Sequence, residues 1–309
     1  MKILVTGGAG FIGSHVVDLL LKNNHEVVVI DNLSSGKKEN LNSKAKFYLC
    51  DLGNFEKVSE IFEKECFEIV YHLAAQINVR TSLENPVEDA KINIINSISL
   101  LELCTRHKIK HFIFSSTGGA IYGDTKDIPT TEKTREFPLS PYGCAKLGVE
   151  NYLKFYNKVH GLKFTCLRYS NVYGPRQNSK GEAGVISIFF EKMFSDENPV
   201  IFGGIQTRDF VYVKDVARAN LLALNNAKSS IYNVSSGKET DIIHIFSKIN
   251  RFFKNKFEAL YEPEKEGEPK RSCLSFEKIN NNLGWVPETD LDDGLNQVYL
   301  WYLMKDKKK

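Results

Sequence analysis

The chain opens MKILVTGGAGFIG, in which a short apolar run, Ile3-Leu4-Val5, leads straight into glycines at 7, 10 and 13, after which the apolar spacing turns helical. Few folds accept that junction. Without Cβ atoms, the glycines permit a tight turn after a buried strand, close approach of the backbone to a pyrophosphate, and a helix packed hard on the strand; the first helical turn adds free N–H groups and the positive end of its dipole. A second apolar run, Val27 to Ile30, ends at Asp31, close to the spacing at which an acid takes the hydroxyls of an adenosine ribose. A carboxylate there repels a 2′-phosphate, so NAD is expected rather than NADP. Lys37 and Lys38 could accommodate such a phosphate, or could simply form a solvated loop face.

The rest of the chain keeps the rhythm of that opening. Strand-like runs at 2–6, 26–30, 46–50, 68–73, 111–115 and 163–168 alternate with helical patterns at 12–23, 54–65, 90–107 and 142–159. This alternation predicts an α/β fold with a Rossmann-type, doubly wound parallel sheet. After Pro175 the pattern loosens into short pieces, with a glycine pair at Gly203–Gly204, a strand–helix return from about 209 to 234 and a charged loop at 262–270. The expected division is an NAD-binding domain of residues 1–174 with a return at about 205–236, and a smaller discontinuous α/β substrate domain of residues 175–204 and 237–309. In open α/β sheets ligands bind beyond the carboxyl ends of the strands, which places the substrate between the two parts.

In the run SPYGCAK, Pro141 suits the first turn of a helix, and Tyr142 and Lys146 then lie one turn apart on one face. An ammonium held near a phenol favours the phenolate and pulls its pKa from about 10 towards working pH, making a base able to deprotonate an alcohol while its carbon loses hydride. Taken alone, Tyr-x-x-x-Lys could be a helical surface pair. The strand HFIFSST delivers Ser115, Ser116 and Thr117 to a carboxyl end of the sheet, where they could equally be ordinary hydroxyls capping a strand.

Together with FSSTGGAIYG at 114–123 and LRYSNVYGPRQ at 167–177, these motifs resemble the extended short-chain dehydrogenase/reductase superfamily, and within it the NAD-dependent sugar-nucleotide 4-epimerases. The resemblance runs from Met1 to about Leu295, and DNLSSG (31–36), HLAAQ (72–76), GEAGVISIF (181–189) and QTRDFVYVKDVARAN (206–220) stand where such enzymes carry similar runs. It implies that Thr117, Tyr142 and Lys146 are catalytic, with Ser116 a rival to Thr117. It implies that Gly7, Gly10, Phe11, Ile12, Gly13, Asp31, Asn32, Ser35, Gly36, Asp51, Leu52, Leu73, Ala74, Ala75, Gln76, Asn93, Ser115, Tyr142, Lys146 and Tyr169 line the cofactor. Val79, Thr117, Tyr142, Asn171, Val185, Arg208, Lys265 and Ser272 would line a UDP-sugar.

The same resemblance implies a reaction. Tyr142 takes the proton of the sugar 4-hydroxyl while hydride leaves C4, the 4-ketose turns over, and hydride returns to the opposite face, so NAD stays bound. In related dehydratases and decarboxylases an acid usually follows the catalytic hydroxyl; here Gly118, Gly119 and Ala120 follow it, which favours hydride return. Two departures stand out. Lys265-Glu266-Gly267-Glu268 replaces an Arg-led run, trading a bidentate guanidinium for a point charge that Arg271 could compensate, unless it faces solvent. Ser272 stands where a large tyrosine would exclude an N-acetyl group, so UDP-GlcNAc and UDP-GalNAc are expected substrates beside UDP-Glc and UDP-Gal. Arg208 is expected on the diphosphate, or else in a surface ion pair with Asp209.

Composition sets outer limits. A net charge of +3 is too small to imply a nucleic-acid partner, and Lys305, Lys307, Lys308 and Lys309 suit a solvated tail. Cys50, Cys66, Cys104, Cys144, Cys166 and Cys273 include no Cys-x-x-Cys pair and fall mostly in apolar or helical segments, so buried free thiols and a reducing cytoplasm are expected; the seven histidines show no His-x-x-x-His or Cys/His spacing, so no metal site is expected. No apolar run approaches the roughly 20 residues that span a bilayer, and residue 2 already begins the first strand, without a signal pattern. The apolar faces of the helices at 90–107 and 142–159 could be core alone or could pair with a second copy; a homodimer is expected. Other classes stay open: a nucleotide-sugar reductase, dehydratase, decarboxylase or uronate epimerase, or a non-catalytic dinucleotide sensor.

Overall fold

The structure, a computed structural model, describes residues 1–179, 184–263 and 270–306. Its first half alternates β1 (Lys2–Thr6), α1 (Phe11–Lys22), β2 (Glu26–Asp31), β3 (Lys46–Leu49), α2 (Phe55–Glu65), β4 (Ile69–His72), α3 (Val79–Glu84), α4 (Pro86–Ala90), α5 (Asn96–Arg106), β5 (His111–Thr117), α6 (Gly118–Ile121), α7 (Pro141–His160) and β6 (Phe164–Tyr169). The second half adds β7 (Asn171–Tyr173), α8 (Val185–Phe194), β8 (Val200–Phe202), β9 (Thr207–Tyr212), α9 (Val213–Leu224), β10 (Ser230–Val234), β11 (Glu239–Asp241), α10 (Ile242–Phe252), β12 (Leu260–Glu262), α11 (Glu277–Leu283) and α12 (Leu291–Asp306).

Seven strands form one parallel sheet in the order β3-β2-β1-β4-β5-β6-β10. The central strands are continuous apolar runs because helices cover both of their faces. Val5, Val29, Ile113 and Tyr71 pack with Val16 and Val17 of α1 and Ala219 and Ala223 of α9. Leu4, Val28, Val70, Phe112 and Phe114 pack the other way, with Phe62 of α2, Leu101 of α5 and Val149 and Leu153 of α7. A third apolar cluster lies outside the sheet and joins Phe189 and Phe190 of α8, Ile245 and Ile249 of α10, and Leu295 and Tyr302 of α12. Beside it stands a small sheet in the order β11-β9-β7.

The long helix is built as its sequence suggests. Ser140 Oγ accepts the Gly143 N–H at 3.1 Å, Pro141 takes the first turn, and Gly161 ends α7 at φ +71°. The other expected long helix, 90–107, runs unbroken to Arg106 but changes its winding. α4 and α5 are joined by a π-helical turn, Lys91–Ile95. The extra residue lets Asp89 and Asn93 hydrogen-bond towards Gln76 while Leu100, Leu101, Leu103 and Cys104 keep to the core, a compromise that periodicity alone does not reveal. The cysteines also differ in part from expectation. All six are free, yet only Cys50, Cys104, Cys166 and Cys273 are buried; Cys66, the left-handed C-cap of α2, and Cys144 on α7 are exposed. Among the described residues no helix is long and apolar enough to cross a membrane.

Candidate active site

The strand order reverses between the paired strands β1 and β4, and the glycine turn sits at the carboxyl end of that switch point. Gly7 has φ +71°, and a Cβ on it would lie 2.6 Å from the backbone N of Ala74, so the turn and the end of β4 meet backbone to backbone. A Cβ on Gly13 would stand 2.1 Å from the Gly7 carbonyl oxygen; α1 therefore starts directly on the turn. Gly10 caps α1 with no side chain, leaving the first-turn N–H groups open to an anion. At the end of β2, buried Asp31 accepts the Ala9 N–H on Oδ2 at 2.9 Å and the Leu33 N–H on Oδ1 at 2.8 Å. Each oxygen keeps a lone pair for a ribose hydroxyl. Lys37 is exposed, with Glu39 3.8 Å from its ammonium. Asn32 donates to Asp51, and Gly36 packs so closely on Ala9 that a Cβ would fall 2.9 Å from the Ala9 carbonyl carbon. These residues fit NAD: an anion cradle, an acid for the ribose, and no side chain filling the cradle between them.

The opposite wall comes from α7. Ser82 of α3 accepts the Tyr142 N–H at 3.3 Å, and Gly143 lets α7 close on α6, since a Cβ there would stand 2.5 Å from the Ala120 carbonyl oxygen. One turn on, buried Lys146 donates to the Ser115 carbonyl at 2.9 Å, with its Nζ 4.7 Å from the centre of the Phe114 ring and 5.9 Å from that of Tyr142. Burial lowers its pKa to about 8. Thr117 ends β5, half-buried, and its hydroxyl makes no hydrogen bond to another described residue. Ser116 faces the other way and donates to Glu150 at 2.6 Å in the core, so strand alternation leaves Thr117 as the hydroxyl open at the strand end.

Several side chains named from the sequence serve the site at one remove. Ser115 Oγ meets the Tyr169 hydroxyl at 3.1 Å, and that hydroxyl is bonded to the Asn220 amide on α9, so both are committed beneath the crevice. Asn93 clamps the loop after β4: its amide accepts the Gln76 N–H at 2.9 Å and donates to the Gln76 carbonyl and to Asp89 Oδ1, each at 2.9 Å. Glu150 was not singled out in the sequence, although it follows Lys146 by four residues and so shares the face of Tyr142 and Lys146. Arg168 donates to it from Nε at 2.9 Å and Nη2 at 2.6 Å, to Glu136 at 2.8 Å and to the Tyr122 hydroxyl at 2.8 Å.

On the far side of the crevice β7 runs beside β9, setting Asn171 opposite Phe210. Asn171 Oδ1 is buried without a hydrogen-bond partner, as expected of a group that meets a ligand. Arg208 precedes Asp209 on β9, but Asp209 is fully buried and accepts the N–H groups of Ser236, Gly237 and Leu274 and the hydroxyls of Ser170 and Ser236, which ties segment 272–274 to the strand. Ser272 stands half-buried in that segment, while exposed Arg271 forms a two-pronged pair with Glu239 at 3.0 and 2.6 Å. Val79 and Val185 open α3 and α8, both half-buried. Lys265 lies outside the described residues. Leu274 lies over the position after Thr117: a Cβ on Gly118 would fall 2.2 Å from Leu274 Cδ1 and would have to displace that side-chain tip.

The profile of the NAD dependent epimerase/dehydratase family matches residues 3–235. The crystal structure of UDP-glucose 4-epimerase from Thermotoga maritima with UDP-glucose is 47% identical and superposes with a TM-score of 0.97, covering 99% of both chains. UDP-glucose 4-epimerase from Thermus thermophilus, in complex with NAD, is 38% identical with a TM-score of 0.93, over 98% of this chain and 99% of that one. UDP-N-acetylglucosamine 4-epimerase from Methanobrevibacter ruminantium, in complex with UDP-N-acetylmuramic acid, is 35% identical with a TM-score of 0.93, over 98% of each chain.

Proposed function

The chain belongs to the NAD-dependent epimerase/dehydratase family, with NAD as its cofactor, and we propose that it inverts C4 of UDP-glucose and UDP-galactose and of their 2-acetamido counterparts. In this reading α8, α10 and α12, with β7 and β9 that carry Asn171 and Arg208, stand on the sugar-nucleotide side of the crevice, and β1 to β6 with α1 on the cofactor side. Bound NAD supplies the acceptor, and later the donor, of the C4 hydride. Tyr142 removes the proton of the 4-hydroxyl, Thr117 hydrogen-bonds the same oxygen, and the Lys146 ammonium favours the phenolate by its charge. Asn171 and Arg208, with Lys265, hold the diphosphate end, so that the 4-ketose can turn about its anomeric linkage before Tyr142 returns the proton.

The observation that carries this reading is Leu274 over Gly118. An acid following the catalytic hydroxyl would direct the 4-ketose to elimination or decarboxylation; here Gly118, Gly119 and Ala120 supply none and the Leu274 tip lies against the first of them, so reversal remains. Ser272, which is small and half-buried, is assigned to the pocket beside C2 on the resemblance, and its size supports acceptance of an N-acetyl group. The outer face of α7 exposes Tyr152, Phe155 and Val159, an apolar surface suited to a second copy of the chain.

The test is proton NMR of the purified protein, without added cofactor, incubated separately with UDP-galactose and UDP-N-acetylgalactosamine. The C4 epimer of each is expected, and Tyr142→Phe is expected to abolish conversion while NAD stays bound. Unchanged turnover in that variant refutes the assigned base. Absence of either epimer, even with NAD added, refutes the substrate assignment and directs the search to UDP-uronic acids.

A further inference from the structure

Four ionisable side chains act electrostatically on Lys146, and three of them have their charge already committed. Glu150, one turn further along α7, has both oxygens on the Arg168 guanidinium and Ser116. His72, at the end of β4, is neutral: Ser97 Oγ donates to the Asn93 carbonyl, so His72 Nε2 donates to Ser97 and its Nδ1 accepts the Thr6 hydroxyl, and burial lowers its pKa to about 3. Cys166 on β6 is a fully buried thiol whose pKa burial pushes well up. Phe114 and Tyr142 present rings. Asp89, on α4 where it packs against α7, is the exception. It is 2% exposed, its Oδ1 accepts from both Gln76 Nε2 and Asn93 Nδ2 at 2.9 Å, and its Oδ2 is buried with no hydrogen-bond partner among the described residues.

From this arrangement we infer that Asp89 is a positioning residue for catalysis, whose uncommitted carboxylate oxygen supplies the negative charge that keeps Lys146 an ammonium beside Tyr142. Both neighbours of Oδ1 can only donate there, which suits an ionised carboxylate. The π-helical turn that follows α4 lets Asn93 hold Asp89 and the Gln76 backbone at once. The Asp89 pKa is raised, because burial outweighs the two donors and Lys146 that pull it down; at Lys146 the Asp89 charge, ahead of that of Glu150, works against the larger effect of burial. Removing the charge leaves burial with weaker opposition, so the ammonium loses its proton at lower pH.

The inference rests on the epimerase reading, and its test separates the two. Kinetics of wild type, Asp89→Asn and Asp89→Glu are followed from pH 6 to 10 with UDP-galactose, and the Lys146 Nζ titration is read by NMR of ¹⁵N-lysine protein, assigned with Lys146→Met. In Asp89→Asn the alkaline limb of kcat and the Nζ midpoint are expected to fall together by about one pH unit or more, with KM changed less than about threefold; Asp89→Glu restores both in large part. A uniform loss of kcat with limb and midpoint in place shows that Asp89 only braces Asn93 and Gln76, and overturns the inference. If Asp89→Asn does not fold, Asp89→Ser, smaller and also uncharged, is read by the same two criteria. Wild type that holds NAD but turns over no UDP-sugar defeats the epimerase reading alone, and the Nζ midpoint still decides on Asp89.

Discussion

Replacing Glu150 by Gln tests whether the buried ion pair beneath the reaction site matters through its charge. Arg168 and Glu150 are both fully buried, and the pair is closed by Tyr122 and by Glu136, which is partly exposed. Gln keeps the volume of Glu150 and its contact with Ser116 but leaves the guanidinium facing a neutral amide. Breaking a buried pair from one side costs about 3–5 kcal/mol, and the lower figure applies because Glu136 still neutralises part of the charge. With an unfolding entropy of about 2.1 cal/mol/K per residue, the 309-residue chain loses about 0.65 kcal/mol per kelvin at its midpoint, so Tm should fall by about 5 °C. The assay is calorimetry at fixed excess NAD, since bound cofactor itself moves Tm. The double variant Glu150→Met with Arg168→Met removes both charges and should recover most of the loss. A shift under about 2 °C in Glu150→Gln, or a double variant no more stable than the single one, refutes the charge argument and points to packing instead.

Two further outcomes are expected. Gly7→Ala should purify without NAD and lose stability, because a left-handed residue costs about 1–2 kcal/mol and its Cβ meets the Ala74 backbone at 2.6 Å; Gly161→Ala, at the same φ with nothing within 4 Å, should lose only the strain and keep NAD, as read by nucleotide released on denaturation. Stability should also fall with acid. Burial depresses His72 to about 3 and His15 and His111 to about 4, so the unfolded chain binds more protons than the native one between roughly pH 6.5 and 4. Each histidine should then cost about 1.4 kcal/mol per pH unit through that window, and denaturant midpoints that stay flat from about pH 6.5 to 5 would contradict their burial as neutral rings.

The sheet was legible wherever burial on both faces produced unbroken apolar runs, and β1, β2, β5 and β6 lie within a residue or two of expectation. The glycine turn and α7 were legible because a steric requirement or a cap forces a residue type. The π-helical turn was not: one inserted residue leaves the apolar spacing on either side intact. Nor were β7 and β11, whose three residues are too few to show alternation. At the site, Tyr142, Lys146 and Asp31 could be named from spacing. Asp89, Asp209 and Arg168 could not, because what distinguishes them from surface charges is burial among partners distant in sequence.

β10 completes the large sheet beside β6, yet residues 170–229 separate the two along the chain. A ribosome therefore delivers β1 to β6 well before the strand that shields β6. Until residue 234 has emerged, the nascent protein carries an unpaired sheet edge, with the backbone groups of Thr165 to Tyr169 awaiting their partners. Closing that edge needs the intervening segment, which also builds β7, α8 and β9. The crevice is thus finished late in synthesis, and a message cut short before residue 230 yields a chain with a sticky seam instead of half an enzyme.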